Sequence, residues 1–113
     1  VCRGDDLQPS TFRQWELYDA LGWPPPNFMH VPLIVGPDGR RLAKRHGDTR
    51  ISILRDRGIP PETLLGLLAW SCGWQEDRTP ISMGRLLDLY SPRSIPQKPF
   101  VMTDELWTEL TEK

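Results

Sequence analysis

The sequence predicts an α/β beginning followed by an α-helical tail, in a chain of 113 residues that forms one domain or a piece of one. Two short runs near the start have the composition of strands, Val1-Cys2 and His30 to Val35. After position 48 the apolar residues recur at helical spacing instead. No apolar run approaches the roughly 20 residues that a membrane helix needs.

The first predicted element is a short buried strand that ends at Arg3-Gly4-Asp5-Asp6. A helix follows from about Ser10 to Leu21, in which Thr11 and Gln14 have the spacing of a capping box. Gly22 ends this helix before three prolines. Its apolar positions are Trp15, Leu17, Tyr18 and Leu21.

The second predicted strand, from His30 to Val35, contains Pro32 and should therefore be an edge or irregular strand. A strong turn signal follows in Gly36-Pro37-Asp38-Gly39, because proline fixes φ and glycine accepts positive φ. The chain then returns through basic residues. We therefore expect a hairpin or a presented loop that ends at Gly47.

The tail is predicted to contain four helices. Asp48 is placed to cap the first one, which ends at Gly58. The second helix spans about Glu62 to Ser71 and is apolar on almost every side, which predicts that it is buried. The third begins near Ser82, and Thr103 caps the last one after a proline-rich connector.

The charge of the chain is unevenly distributed. The formal net charge of -1 argues against nonspecific nucleic-acid binding by the whole surface. Seven of the fourteen Lys and Arg nevertheless lie between Arg40 and Arg57. Such a local basic field suits a polyphosphate or an RNA backbone, and a solvated helix face is the alternative.

The two cysteines, Cys2 and Cys72, lie far apart, and neither histidine is near them in the sequence. A zinc site needs about four clustered ligands, so no metal site is predicted in this chain. Structural thiols in a reducing cytoplasm are the expected state. One long-range disulfide is the alternative.

The two cations that flank the basic loop suit a reaction that drives negative charge onto phosphate oxygens. In amino-acid activation a carboxylate attacks the α-phosphate of ATP and pyrophosphate leaves. A lysine such as Lys44 lowers the barrier if it reaches the phosphate oxygens as the transition state forms. On these residues alone, a plain basic hairpin remains the alternative.

The run from His30 to Gly47 resembles the signature-loop region of class I aminoacyl-tRNA synthetases of the glutamyl type, His-x-Pro-Leu…Gly-Pro-Asp-Gly…Lys-Leu-Ser-Lys-Arg. Residues 3–6 and 10–14 resemble the family's Arg-Gly-Glu-Asp and Ser-Thr-Pro-Arg-Gln, and residues 57–71 resemble its Gly-x-x-Pro-Glu-Ala-Leu helix. The resemblance implies the second half of a Rossmann-like catalytic domain in residues 1–47. It also implies a helical tail in residues 48–113 that resembles the stem-contact region, so the fragment is mostly helical.

The resemblance implies a role for the residues that match. Arg3 aligns with the arginine that grips the side-chain carboxylate of glutamate, and an ion pair with Asp5 or Asp6 is the alternative. Lys44 aligns with the catalytic lysine on the ATP phosphates, and Arg45 beside it is a weaker candidate. The positions where the family packs adenine, for which ordinary core is the alternative, are Leu33, Ile34 and Leu42.

Two departures from the family pattern lie within the loop. Ala43 replaces the signature serine, and Arg41 replaces the first lysine. Ala43 removes a hydroxyl that assists a phosphate, whereas Arg41 keeps the positive charge. Because Lys44 is retained, neither change removes the expected mechanism.

The short ending resembles the glutamyl-Q tRNA(Asp) synthetases, which activate glutamate with ATP and attach it to the queuosine of tRNA(Asp). A truncated glutamyl-tRNA synthetase that charges tRNA(Glu) and a noncatalytic RNA-binding module derived from one remain the alternatives. The resemblance implies Mg²⁺-ATP, glutamate and tRNA as ligands, and a cytoplasmic protein without a membrane partner. The family's His-Ile-Gly-His type motif is not in this chain. We therefore expect a fragment that is inactive alone, with that motif and any zinc in a missing N-terminal half.

Overall fold

The computed structural model describes residues 1–112, and the side chain of Arg45 lies outside that description. Within these residues the elements follow in the order β1 (Cys2–Gly4), α1 (Thr11–Leu21), β2 (Met29–Val31), β3 (Ile34–Val35), α2 (Ile51–Asp56), α3 (Pro61–Ser71), α4 (Met83–Leu89), β4 (Phe100–Val101) and α5 (Asp104–Thr111). Strand β1 pairs in parallel with β2, and β3 pairs in parallel with β4. The predicted α/β beginning and helical tail are confirmed.

Strand β1 forms where it was predicted, but it is not buried. Cys2 is exposed, whereas Arg3 and Gly4 are half-buried. The reason is that β1 belongs to a sheet of two strands, in which only β2 pairs with it. A 3-10 turn, Asp5–Ser10, then connects β1 to α1.

Helix α1 ends as predicted at Gly22, whose φ of 69° only glycine adopts without strain. The predicted capping box is wrong, because Ser10 is the N-cap and no side chain caps it. The Thr11 hydroxyl instead accepts a hydrogen bond from the Arg3 guanidinium at 2.8 Å. No residue of α1 is buried, and Phe12 is 72% exposed.

Strand β4 was missed, since the sequence indicated only a proline-rich connector there. The Phe100 N–H donates to the Leu33 carbonyl at 3.0 Å, and the Met102 N–H donates to the Val35 carbonyl at 2.8 Å. This pairing connects the two predicted segments, 1–47 and 48–113, through one sheet. The division of the chain at that boundary remains a prediction.

The core lies between the tail helices and the β3–β4 sheet. Its buried residues are Leu54, Ile59, Leu67, Met102 and Leu110. Burying one such side chain stabilises the fold by about 1.5–3 kcal/mol. Helix α3 contributes to this core as predicted, and a Cβ at its Gly66 would overlap the carbonyl oxygen of Thr79. Glycine therefore allows the following loop to cross α3 at backbone distance.

The predicted helix caps have different outcomes. Thr103 caps α5 as predicted, since its hydroxyl accepts from the Leu106 N–H at 3.2 Å. The predicted Asp48 cap is wrong, because α2 begins at Ile51 with Arg50 as the N-cap. The Asp48 carboxylate instead accepts from the Arg50 guanidinium at 2.7 and 2.8 Å and from the Arg50 backbone N–H at 3.3 Å, so its oxygens are engaged by the residue that precedes α2.

Candidate functional site

The basic loop is presented by a hairpin that local residues define. The Gly39 N–H donates to the Gly36 carbonyl at 2.9 Å, and the positive φ of Gly39, 76°, closes the turn. Val35 and Arg41 then form an antiparallel bridge. The hairpin predicted from the Gly-Pro-Asp-Gly turn is therefore confirmed.

Lys44 opens a short 3-10 turn, Lys44–His46, directly after this hairpin. Its exposed side chain lines an open cavity of about 560 Å³, together with Leu42, Ala43, Gly47, Asp48, Thr49 and Arg50. Within the described residues, no carboxylate forms an ion pair with Lys44. The ammonium group is thus placed to meet an anion that enters the cavity. Arg45, the second predicted cation, has its side chain outside the described part.

The carboxylate that lines this cavity, Asp48, is paired with Arg50. Hydrogen bonds from Arg50 lower the pKa of the Asp48 carboxyl to about 2, and Lys44 adds a smaller effect of the same sign. Asp48 is therefore ionised at neutral pH and paired with Arg50. Lys44 acts on Asp48 only through a weaker electrostatic effect, without an ion pair between the two.

Arg3 lies on β1 directly opposite His30 of β2. Its Nε donates to His30 Nε2 at 3.1 Å, its Nη2 donates to the Thr11 hydroxyl, and its guanidinium carbon lies 4.9 Å from the centre of the Phe28 ring. In the part of the chain that the structure describes, no ion pair joins Arg3 to Asp5 or Asp6. Neutral partners thus orient Arg3, and no carboxylate among the described residues forms an ion pair with it.

One ion pair connects the segment after β1 with the loop. Arg41 Nη1 lies 3.3 Å from Asp6 Oδ2, across 35 positions of sequence. Arg41 occupies the position of the first lysine in the family pattern, so a cation is kept there. Through Asp6, this cation connects the hairpin with the segment that follows β1. The sequence did not predict this contact, because no local pattern links the two residues.

The three residues predicted to pack adenine do not share one cavity. Leu42 lines the Lys44 cavity, whereas Leu33 and Ile34 line a second cavity of about 230 Å³ that also contains Trp74 and Phe100. Ile34 and Leu42 also pack against the core. For Ile34 and Leu42, these contacts agree with the alternative that they are ordinary core residues. The adenine role of all three remains a prediction.

His46 is the residue of the loop to which the sequence assigned no role. Its side chain is only 10% exposed and contacts Ala43 and Asp38 by hydrogen bonds. The only sequence feature that could have indicated a role for His46 is its position between the basic run and Gly47. That place does not distinguish a buried imidazole from a solvated one, because the packing depends on how the chain returns.

The described residues contain no group of three or more His, Cys, Asp or Glu that is arranged to hold a metal ion. Both cysteines are free thiols, so the alternative of a disulfide is not formed. No helix in the described range is long and apolar enough to cross a membrane.

Comparison with known proteins gives one family. The profile described as "tRNA synthetases class I (E and Q), catalytic domain" matches residues 1–84. A glutamyl-Q tRNA(Asp) synthetase from Rhodopirellula baltica is 57% identical over 88 residues, which cover 78% of this chain and 27% of that protein. The mitochondrial glutamate–tRNA ligase of Schizosaccharomyces pombe is 44% identical over 94 residues, which cover 80% of this chain and 18% of that protein.

Solved structures give the same fold. The crystal structure of a glutamate tRNA ligase from Elizabethkingia meningosepticum, in complex with its amino acid, matches with a TM-score of 0.71 at 24% identity. The match covers 97% of this chain and 26% of that chain. The present chain therefore spans less than a third of the length of each of these relatives.

Proposed function

The chain belongs to the family of class I tRNA synthetase catalytic domains for glutamate and glutamine, and from this premise we propose that the whole protein activates glutamate with ATP and attaches it to the queuosine of tRNA(Asp). The observation that carries the proposal is the Lys44 ammonium in an open cavity, without an ion-pair partner among the described residues. The 57% identity to the Rhodopirellula baltica protein favours tRNA(Asp), and glutamate–tRNA ligases that are 52% and 53% identical over 79 residues make tRNA(Glu) the second candidate.

In the proposed first step, an oxygen of the glutamate α-carboxylate attacks the α-phosphorus of ATP. The bond to the bridging oxygen breaks, and pyrophosphate leaves with that electron pair. Negative charge therefore grows on the phosphate oxygens as the transition state forms. A cation that meets those oxygens only at that stage lowers the barrier, and such preorganised contacts contribute roughly 3–4 kcal/mol. We assign this role to Lys44.

Arg3 is proposed to bind the side-chain carboxylate of glutamate. A guanidinium and a carboxylate form two parallel hydrogen bonds, and a neutral glutamine amide offers only one acceptor oxygen to the same fork. The partners of Arg3 include His30, Thr11, the Leu7 carbonyl and the Phe28 ring, and they favour this role because they orient the group without neutralising it. An internal carboxylate in the same place would compete with the substrate.

Magnesium arrives with ATP and is therefore part of the substrate. The described residues of this chain do not cluster three potential metal ligands. No step is therefore assigned to a metal held by these residues. A zinc site stays a prediction for sequence outside this chain.

The first test is glutamate-dependent exchange of pyrophosphate into ATP by the intact protein, without tRNA. Exchange is expected in the intact protein. It is not expected in the 113-residue chain alone, since this chain lacks a His-Ile-Gly-His type motif. Robust exchange by the 113-residue chain would contradict the second expectation. An intact protein that exchanges with another amino acid instead would contradict the first.

The second test determines the acceptor. Purified tRNA(Asp) with and without queuosine and purified tRNA(Glu) are each incubated with ATP and labelled glutamate. Labelling of tRNA(Asp) only when queuosine is present is the expected result. Labelling of tRNA(Glu) instead would assign the protein to the same reaction as the Schizosaccharomyces pombe relative, which is a glutamate–tRNA ligase by name.

A further inference from the structure

We propose that His46 is a positioning residue, which holds the loop of residues 36–47 in the conformation that directs Lys44 into its cavity. The inference rests on the proposed function, because it assigns His46 a role in the step that Lys44 assists. It follows from three contacts of the imidazole ring, each made with a different part of the loop.

The two ring nitrogens of His46 have different and complementary partners. The backbone N–H of Ala43 donates to Nδ1 at 3.2 Å, so Nδ1 carries no proton. The ring N–H is therefore at Nε2, which lies 2.6 Å from Asp38 Oδ1 and donates to it. One neutral tautomer thus connects the turn residue Asp38 with the residue directly before Lys44.

The third contact is with Gly36, at the base of the hairpin. A methyl group at this position would overlap Cδ2 and Nε2 of the His46 ring and lie 2.9 Å from its Cε1. Gly36 is itself buried, so the ring packs closely against backbone inside the fold. His46 is therefore held in position by packing as well as by hydrogen bonds.

The consequence concerns the backbone on both sides of Lys44. Before it, Ala43 is extended, with φ of -154°, and its N–H is bound to the His46 ring. After it, the Gly47 N–H donates to the Lys44 carbonyl at 3.1 Å. Fixing this backbone leaves only the side chain of Lys44 to adjust when the nucleotide arrives. Errors of about 1 Å in such a group cost up to roughly a hundredfold in rate.

The experiment measures single-turnover formation of glutamyl adenylate by the intact enzyme and four variants. His46→Ala removes both hydrogen bonds. In His46→Asn the amide oxygen replaces Nδ1 as acceptor, and in His46→Gln the amide nitrogen replaces Nε2 as donor. The fourth variant, Ser82→Ala, is the control, since it removes the N-cap hydrogen bond to the Arg85 N–H of α4.

His46→Ala is expected to slow adenylate formation roughly ten- to a hundredfold, with the dissociation constants of ATP and glutamate changed little. His46→Asn should recover more of the rate than His46→Gln, because it restores the bond next to Lys44. Ser82→Ala should lower the melting temperature and leave the rate unchanged. A His46→Ala enzyme that is less stable but equally fast would overturn the inference.

A cycle with Lys44→Ala separates positioning from a general effect on the enzyme. If His46 acts through Lys44, then His46→Ala should cause no further loss in the rate of adenylate formation in the Lys44→Ala background. An equal loss in both backgrounds would overturn the inference and leave the proposed function intact. If Lys44→Ala itself does not slow the enzyme, the role of Lys44 fails and the inference fails with it.

A spectroscopic measurement tests the hydrogen bonds of the His46 ring independently of activity. The ¹⁵N chemical shifts of the His46 ring, assigned by their loss in His46→Gln, should show an unprotonated Nδ1 and a protonated Nε2. The opposite tautomer, or a ring that exchanges freely between the two, would overturn the inference even in an active enzyme.

Discussion

Adding one methyl group to Gly36 perturbs the loop without changing His46 itself. The Gly36→Ala methyl would lie closer to three atoms of the imidazole ring than the 3.0 Å that real Cβ atoms keep. The φ of Gly36 is not positive, so alanine causes no backbone strain at this position. The cost must therefore come from the displacement of the ring.

The magnitude follows from what the ring loses when it is displaced. Its two hydrogen bonds, to Ala43 and Asp38, are each worth about 0.5–1.5 kcal/mol net. A ring that stays would instead meet an overpacking cost of about 1–3 kcal/mol. Either route lowers the free energy of unfolding by about 2 kcal/mol, which corresponds to a fall in melting temperature of roughly 8 °C for a chain of 113 residues.

The same methyl should be harmless once the ring is gone. In the His46→Ala background, Gly36→Ala meets the space that the ring vacated. It also reduces the entropy of the unfolded chain, which stabilises by about 0.4–1 kcal/mol. The effect of the methyl is therefore expected to change sign between the two backgrounds.

Thermal unfolding of the wild type, both single variants and the double variant measures this cycle. Gly84→Ala in α4 is the matched control, because nothing lies within 4 Å of a Cβ there and alanine favours the helix. The control should be neutral or stabilising. A Gly36→Ala variant that loses as much stability in the His46→Ala background as in the wild type would refute the packing of the ring on Gly36.

Four further outcomes are expected. Lys44→Ala should lower the turnover of ATP–pyrophosphate exchange about 10²- to 10³-fold with little change in the KM for ATP, and unchanged turnover would count against its role. Arg3→Lys should raise the KM for glutamate roughly tenfold in the same assay, since an ammonium does not reproduce the two-point fork; an unaltered KM would remove Arg3 from the substrate site. The Asp48 carboxyl should titrate by NMR with a pKa of about 2, and this pKa should return towards 3.8 in Arg50→Gln. The depressed pKa contributes stability above pH 3.8, and this contribution is lost as the pH falls through about 2. Identical titration of Asp48 in both proteins would contradict that pairing. Thr103→Ala should lower the free energy of unfolding by about 1 kcal/mol in urea denaturation, because it removes the cap of α5, and an unchanged midpoint would show that the cap contributes nothing.

The family and the local structure were already present in the residue pattern. Gly22 ends α1, the Gly-Pro-Asp-Gly turn closes the hairpin, and Thr103 caps α5, as predicted. In each case the partner group lies within about five positions of the residue. Backbone propensity and short-range hydrogen bonds are sufficient to determine such features.

Tertiary structure decided which partner a polar side chain binds when more than one hydrogen-bond partner is within reach. Thr11 and Asp48 both have the spacing of helix caps, yet one accepts from Arg3 and the other from Arg50. Their hydroxyl and carboxylate meet a cation, which binds an oxygen more strongly than a backbone N–H does. A local pattern does not rank such a competitor, because the competitor's position depends on the rest of the chain or on its own side-chain conformation.

The same holds for β4 and for His46. Pairing of β4 with β3 joins residues more than sixty positions apart, and no composition signal marks it between the prolines. The His46 side chain is only 10% exposed because the hairpin returns the chain over Gly36. The sequence alone thus determined the family, the hairpin and the identity of its cations. Only the folded chain decided which of those cations faces an open cavity, because contact between distant residues depends on packing that no short segment contains.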